Sequence, residues 1–225
     1  MIMLLTKDPH STRRDILSFK AEVEKYLSNK SDIDLMLSIF KQAAFLNILI
    51  CSNDTLNHKN HINGMIYDTL NSIISILNKR ERYLHLNIRS IIEHIARIAL
   101  NKTYQGGDYD GTVRRKDFDF LKKEKPSENW KYLHESYIRA CHFIHSSPQA
   151  KLNVTSTFME LLHSDHGAKV SKQIITLHKN ITTITKIFLV YFISEISSTF
   201  FRTQTELRFL LGGSLYSEYE LLDKS

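Results

Sequence analysis

Residues that form turns are scarce in this chain, which has seven glycines and three prolines among its 225 residues. An all-β sandwich needs many more turns, so the scarcity favours a few long elements. Between the turn signals, apolar residues recur at spacings of three and four, and no strand pattern occurs. The sequence therefore predicts an all-α fold built as one helical bundle.

Three parts are expected along the chain. Residues 1–62 form N-terminal helices that pack on the bundle, residues 63–202 form the bundle itself, and residues 203–225 form a helical tail. Gly212-Gly213 is expected to break the tail, because glycine is a poor helix former.

The N-terminal part contains an unusually apolar helix. Ser31-Asp-Ile-Asp34 resembles a capping box that opens this helix, and the apolar run extends to Cys51. A helix that is apolar nearly all round lies at the centre of a bundle or is covered by a second chain. The polar residues 52–63 that follow are expected to form a loop or a frayed helix start.

The bundle part divides at its turn residues. Residues 65–101 predict two helices that meet near residues 78–81, and residues 104–111 are the clearest loop. Residues 150–167 form a looser connection. A last large helix is expected from about residue 168 to residue 202, which would make it roughly 50 Å long.

The formal net charge of +6 suits an anionic partner such as nucleic acid, and it also suits an ordinary protein surface. Cys51 and Cys141 lie far apart in apolar contexts, which is typical of reduced core thiols. Residues 1–5 are too few for a secretory signal, and the apolar run of residues 187–194 is shorter than the roughly 18 residues of a membrane span. The sequence therefore predicts a soluble cytoplasmic protein without a membrane segment.

A charged stripe runs along the predicted helix of residues 82–101. Arg89, Glu93 and Arg97 follow one another at four-residue steps beside its apolar face. A carboxylate between two guanidiniums forms a salt-bridged rim, or it borders an active cleft and orients the groups across it. Both interpretations fit the sequence.

The clearest chemical signal lies on a predicted helix that starts at Ser127 and ends before Pro148. Arg139 and His142 lie on its polar side, and His145 lies near its end. Histidine takes and gives protons near neutral pH, and arginine offers a permanent charge and a forked donor to phosphate. Cleavage of RNA by its own 2′-hydroxyl needs these two functions and no metal, so the three residues form a candidate catalytic set.

Two of these segments resemble known motifs. Tyr137-x-x-Ala-Cys-x-x-x-His145-Ser-Ser resembles the Tyr-x-x-Leu-Ser-x-x-x-His-x-Ser helix of certain HEPN-like domains, which belong to the higher-eukaryote and prokaryote nucleotide-binding superfamily. Arg89-Ser-Ile-Ile-Glu93 resembles the Arg-Ser-hydrophobic-hydrophobic-Glu helix that precedes it in such domains. Arg139 and His145 also fit the superfamily's Arg-x4–6-His motif.

The resemblance covers about residues 63–192 and implies a four- or five-helix bundle that dimerises and pairs two Arg/His sites across the interface. Active members are metal-independent ribonucleases, often toxins or antiviral effectors, whereas inactive relatives act as folding partners or antitoxin-side scaffolds. The resemblance implies that His145 is the acid/base, that Arg139 contacts phosphate and that His142 assists. The supporting residues would be Arg89, Glu93, Arg97 and Tyr137.

Short patterns of this kind also recur by chance. The helix end and the proline beyond it favour the pair of Arg139 and His145, although an ideal helix places these two residues about 120° apart. They converge only where the helix end frays or a second chain completes the site. Ala140 occupies a position that is usually polar in active members. Two further pairs have the motif spacing, Arg80 with His85 and Arg89 with His94.

A basic segment follows the predicted loop and contains two phenylalanines, Phe118 and Phe120. Cations interleaved with aromatic rings predict a surface for single-stranded RNA, and the alternative is a solvated helix with two core phenylalanines. The candidate nucleic-acid-binding residues are Arg114, Arg115, Lys116, Lys122 and Lys123.

No metal and no cofactor are expected. His134-Glu135 lacks the second histidine of a zinc-hydrolase helix motif. Other histidines have metal-like spacing but lie in polar, loop-like stretches; these are His58 with His61, and His163 with Asp165 and His166.

The sequence thus supports one leading hypothesis and two alternatives. The leading hypothesis is a cytoplasmic homodimer that cleaves RNA, with a toxin or defence role implied by the resemblance. The first alternative is a non-catalytic interaction module, in which residues 35–51 and the last large helix dock a partner protein. The second is a nucleotide-binding regulator without hydrolysis.

Overall fold

The computed structural model describes residues 11–102, 112–150, 159 and 169–224, and within them the chain is helical without strands. The all-α prediction is confirmed, and the HEPN-like arrangement stays a prediction. A short 3-10 turn follows the sixth helix at Pro148–Ala150. The α-helices are α1 (Thr12–Val23), α2 (Lys30–Ser52), α3 (Lys59–Leu77), α4 (Glu81–Ala99), α5 (Arg115–Glu124), α6 (Trp130–Ile144), α7 (Val170–Tyr191), α8 (Ile193–Phe200) and α9 (Gln204–Asp223).

Helix α2 is the central helix of the bundle, because α1, α3, α7, α8 and α9 all pack against it. Its side chains Met36, Ile39 and Leu49 are fully buried. Of the two sequence interpretations, the central position is the one observed. The predicted capping box at Ser31 is wrong, since the N-cap lies two residues earlier at Asn29, whose side chain accepts a hydrogen bond from the Ser31 backbone N–H at 2.9 Å.

Helix α2 is also long and apolar enough to cross a membrane, judged by length and composition alone. Helices α7 and α8 pass the same test only as a pair bent by 89°. The core helix of a soluble protein passes the same test, and 44% of the apolar window of α2 is buried inside the structure. One such helix is weak evidence for a membrane span.

Helices α3 and α4 form an antiparallel hairpin whose turn lies between Leu77 and Glu81, where the sequence predicted it. Lys79 adopts a left-handed backbone conformation in this turn, with φ at 55°. Helix α3 begins at Lys59, so part of the stretch predicted as a loop or frayed start is its regular first turn. Helix α4 lies between α3 on one side and α6 and α7 on the other.

The long C-terminal helix predicted up to residue 202 is wrong. Helix α7 ends at Tyr191, and the chain turns by 89° before α8 begins at Ile193. Phe192 is buried at the bend, and its ring stacks on Phe188 with centroids 4.3 Å apart. The bend lets α8 pack back on α2, which a straight helix could not do.

Three other predictions concern the C-terminal helix, the apolar helix faces and the two predicted loops. Gly212 breaks α9 as predicted, with a φ of 74° and a ψ of 171°. The apolar seam of α7 is buried inside the bundle, whereas Leu35, Phe40 and Ile50 of α2 are partly exposed, so docking of a partner protein stays a prediction. The predicted loop at residues 104–111 and most of the connection at residues 150–167 lie outside the described residues.

Candidate functional site

The charged stripe on α4 forms a closed ion-pair cluster. Arg89 Nε donates to Glu93 Oε1 at 2.9 Å, and an Arg97 guanidinium nitrogen donates to Glu93 Oε2 at 3.1 Å. The Glu93 side chain is only 16% exposed. Both carboxylate oxygens therefore accept a hydrogen bond, and Glu93 holds the two guanidiniums in place.

Helix α6 adds Tyr137 to this cluster. The Tyr137 hydroxyl donates to Glu93 Oε1 at 3.0 Å, and the Arg89 guanidinium carbon lies 5.5 Å from the centre of the Tyr137 ring. Burial and the Glu93 carboxylate together raise the pKa of Tyr137 to about 12, so the phenol keeps its proton. The four predicted supporting residues thus meet at the junction of α4 and α6.

Cys141 lies one turn beyond Tyr137 and is half-buried. Burial raises the pKa of its thiol, and the nearby Arg89 guanidinium offsets this only in part. A thiol with a raised pKa is a poor nucleophile, so covalent thiol chemistry is disfavoured here. The prediction of two core thiols is wrong for Cys51, which is exposed.

The predicted catalytic residues lie in the C-terminal half of α6 and at its C-cap. This helix starts at Trp130 with Asn129 as its N-cap, not at Ser127, because the Asn129 side chain accepts from the Tyr132 backbone N–H. It ends at Ile144, so His145 is the C-cap residue rather than a member of a longer helix.

Arg139 and His145 are both exposed to solvent. No hydrogen bond or ion pair joins them to each other among the residues that the structure describes. His142 is partly buried, and its Nδ1 lies 2.9 Å from Ser147 Oγ, which fixes the imidazole ring. The structure therefore brings together the supporting residues but leaves the three catalytic candidates apart from them.

Helix α4 nevertheless supports the end of α6 that carries these residues. An Arg82 guanidinium nitrogen donates to the Ile144 carbonyl at 2.9 Å. The His85 ring stacks on Phe143 with centroids 3.7 Å apart. A cation on a terminal carbonyl stabilises a helix C-terminus, so Arg82 helps to set where His145 emerges.

The two other Arg–His pairs with the motif spacing differ in exposure. His85 is buried under Phe143, and the His94 side chain is 17% exposed between α3 and α4. Burial, with Arg97 and His61 nearby, lowers the pKa of His94 to about 4, so its ring is neutral near pH 7. Of the three pairs, the one at Arg139 and His145 alone has an exposed histidine.

A buried histidine network between α3 and α4 was missed by the sequence analysis. His94 Nδ1 lies 3.3 Å from His61 Nδ1, and His61 Nε2 lies 3.0 Å from the Lys102 carbonyl oxygen. On its other side, His94 Nε2 lies 3.7 Å from Asp68 Oδ2. Gly64 leaves room for the ring, since a Cβ there would lie 2.2 Å from His94 Nε2.

The network shows that the loop-like environment predicted for His61 is wrong, and Gly64 is the sequence signal that points to it. His61 is not in a loop but is buried on the first turn of α3. An isolated glycine within a helical pattern often marks a close approach of another element, and Gly64 marks the approach of His94. No group of three metal-ligating side chains occurs in the described ranges, and His163, Asp165 and His166 lie outside them.

The basic segment forms α5. Phe118 is buried and stacks on His134 with centroids 4.7 Å apart, whereas Phe120 is 53% exposed. Lys122 pairs with Asp119 at 2.7 Å. The predicted nucleic-acid-binding cations Arg114, Arg115, Lys116 and Lys123 are exposed, and Lys122 is partly exposed. Phe118 is therefore a core residue and Phe120 is not, and the RNA-binding surface stays a prediction.

The chain matches no protein-family model, no curated protein and no solved structure. The residues and their geometry therefore carry any functional conclusion.

Proposed function

We propose that this protein is a metal-independent, HEPN-like endoribonuclease that uses Arg139 and His145. The observation that carries the proposal is the exposure of both side chains, whereas His85 is buried and the His94 side chain is only 17% exposed. An acid/base must reach its substrate, and only His145 among these three histidines is open to solvent. The position of His145 at a helix end that Arg82 stabilises gives further support.

The proposed reaction needs no component beyond the protein and the RNA. The 2′-oxygen attacks the adjacent phosphorus while His145 accepts the hydroxyl proton, and the bond from phosphorus to the 5′-oxygen breaks. His142 supplies a proton to the leaving 5′-oxygen. Arg139 stabilises the negative charge that develops on the phosphate oxygens. The products are a 2′,3′-cyclic phosphate and a 5′-hydroxyl.

A second copy of the chain is proposed to complete each site. Arg139 and His145 are six positions apart on α6, and no contact joins them among the described residues. A two-fold dimer would place the arginine of one protomer beside the histidine of its partner. Tyr137, Glu93, Arg89 and Arg97 would then hold α6 at a fixed position for this pairing.

Mixing two inactive variants tests this arrangement. When Arg139→Ala and His145→Ala proteins exchange subunits at random, about half of the dimers are mixed, and each mixed dimer has one intact shared site of two. Cleavage should therefore recover to about a quarter of the wild-type rate. A mixture that stays inactive despite proven subunit exchange contradicts shared sites.

The exposed cations of α5 are proposed to bind the RNA backbone. Arg114, Arg115 and Lys116 carry positive charge at the start of α5, and Lys122 and Lys123 carry it at the end. Contacts of this kind are independent of sequence and weaken with salt. The cytoplasm and a toxin or defence role are part of the same proposal and come from the HEPN resemblance.

Expression in cells tests the activity. Wild-type protein should slow growth and degrade RNA, and both Arg139→Ala and His145→Ala should abolish the two effects. Arg202→Ala, which changes an exposed arginine away from α6, is the matched control and should behave as the wild type. Equal growth and intact RNA in all strains would contradict the proposal and favour the non-catalytic interaction module.

A further inference from the structure

A surface groove of about 710 Å³ lies at the turn between α3 and α4, away from the cluster around Glu93. Helix α3 contributes Tyr67, Asn71 and Ile74 to its walls, and the first turns of α4 contribute Tyr83 and Asn87. None of the predictions made from the sequence used this surface.

Two aromatic rings stand open in the groove. Tyr67 is 69% exposed and Tyr83 is 62% exposed. Ile74, which also lines the groove, is exposed as well. Exposed aromatic rings beside a cationic surface are the usual stacking platforms for unpaired bases, because every base offers a flat face to stack on.

The charge of the groove suits a polyanion. Lys79 and Arg80 line it at the turn, and no carboxylate lines it in the part of the chain that the structure describes. A lining that carries two cations and, among its described residues, no carboxylate favours phosphate over an acidic partner.

The amide side chains in the groove are held in place. Asn71 Nδ2 donates to the Tyr67 carbonyl at 2.9 Å, and Asn87 Nδ2 donates to Ser75 Oγ at 3.4 Å. These bonds leave the amide oxygens available as acceptors for the amino groups of bases. The groove thus offers stacking, hydrogen bonding and charge together.

The groove lies at the same end of the bundle as His145. The first turns of α4 form one wall of the groove, and the same turns hold the end of α6 through Arg82 and His85. Arg82 and Tyr83 are both exposed, so the surface continues over α4. A strand that crosses α4 spans about one helix diameter, roughly 10 Å.

We infer that this groove binds unpaired nucleotides of single-stranded RNA and holds the strand that reaches His145. The statement that the bound strand reaches His145 rests on the proposed function. Binding of RNA in the groove does not require that the protein cleaves it. Tyr67 and Tyr83 stack on successive bases, and Lys79 with Arg80 contacts the phosphates between them.

Binding is tested with full-length Arg139→Ala/His145→Ala protein, in which RNA is not cleaved, and a fluorescent single-stranded oligoribonucleotide of mixed sequence. Adding Tyr67→Ala and Tyr83→Ala should weaken binding by about tenfold or more, because each ring that stacks on a base contributes to the affinity. Adding Tyr26→Ala and Phe201→Ala, which removes two exposed rings elsewhere, should leave the affinity unchanged. Duplex RNA of the same sequence should bind at least about tenfold more weakly than the single strand.

Lys79→Gln is a second variant, and it leaves both rings in place. The slope of log affinity against log salt concentration should become shallower by the share of about one phosphate contact. Circular dichroism confirms that each variant is folded. Unchanged affinity after loss of both tyrosines overturns the inference, and so does equal affinity for duplex RNA. Loss of self-association in the tyrosine variant would show instead that the groove is a protein interface.

The two proposals fail separately. If wild-type protein cleaves RNA but loss of the tyrosines changes neither binding nor cleavage, the groove inference is wrong and the catalytic proposal stands. If binding depends on the tyrosines but wild-type protein leaves RNA intact, the groove inference stands and the catalytic proposal is wrong.

Discussion

The hydroxyl of Tyr137 donates a hydrogen bond to Glu93 Oε1 at 3.0 Å, and this contact joins α6 to α4 across 44 positions of sequence. It links the two helices that carry the HEPN-like motifs. Because Arg89 and Arg97 also bind Glu93, one carboxylate fixes three side chains at this junction. The cluster is one of the contacts that fix α6 on α4, together with those of Arg82 and His85.

Tyr137→Phe tests the contribution of the hydroxyl. The substitution keeps the ring and removes one hydrogen bond to a carboxylate, so the free energy of unfolding should fall by about 1–2 kcal/mol. Urea unfolding measures the change. Tyr67→Phe, at an exposed ring, is the control and should leave stability unchanged.

Glu93→Gln tests the ion-pair cluster. It removes the negative charge between the partly buried guanidiniums of Arg89 and Arg97 and should lower the free energy of unfolding by about 1.5–3 kcal/mol. Glu24→Gln breaks the exposed pair of Lys20 and Glu24 at the same four-residue spacing, and it should change stability by less than about 0.5 kcal/mol. Equal effects of the two substitutions in urea unfolding would contradict the structural role of the cluster.

Gly64→Ala tests the close approach of α3 and α4. The added Cβ would lie 2.2 Å from His94 Nε2, so the ring or the helix must move, and the free energy of unfolding should fall by about 1–3 kcal/mol despite the better helix propensity of alanine. At Gly213 nothing lies within 4 Å of an added Cβ. Gly213→Ala should therefore stabilise the protein by up to about 1 kcal/mol in the same assay. Stabilisation by both substitutions would refute the close packing at Gly64.

The histidine network predicts a loss of stability in mild acid. The pKa of His94 falls from 6.5 to about 4 on folding, mainly through burial, and the pKa of His61 is lowered as well. Between these pH values the unfolded chain binds more protons than the folded one. Stability is therefore full above about pH 6.5 and falls as the pH drops towards 4, with His94 contributing up to about 3 kcal/mol.

Asp68 has the opposite effect on stability. Burial raises its pKa, so the folded state binds a proton more readily than the unfolded chain near pH 4, and this stabilises the folded state as the pH falls. Urea unfolding from about pH 7.5 to about pH 4.5 measures the net slope. His94→Gln should flatten the slope, and His145→Gln, at an exposed histidine, should keep it. A slope that does not change in His94→Gln would show that other groups set the acid sensitivity.

Local contacts were predictable from sequence, and long-range ones were not. The pairs of Glu93 with Arg89 and Arg97 follow from their four-residue spacing, and the turn between α3 and α4 follows from its polar residues. The contact of Glu93 with Tyr137 depends on how α4 packs on α6, and no local pattern specifies that packing. The same holds for His61 and His94, which meet across two helices.

The bend at Phe192 shows a second limit. Residues around it are apolar and include neither glycine nor proline, so the periodic pattern predicted one continuous helix. The bend instead accompanies the burial of Phe192 and the packing of α8 on α2. Tertiary burial here overrides local helix propensity. The sequence could likewise not decide whether His145 is exposed, because this depends on where α6 ends.

Cleavage of a labelled RNA by the purified protein in the presence of EDTA tests the central claim most directly. Wild-type protein should generate fragments that end in 2′,3′-cyclic phosphate, and Arg139→Ala and His145→Ala should each lower the rate by about a hundredfold or more. Arg202→Ala should cleave at the wild-type rate. Intact RNA with the wild-type protein, or cleavage that survives both substitutions, would contradict the assignment of Arg139 and His145 as the catalytic pair.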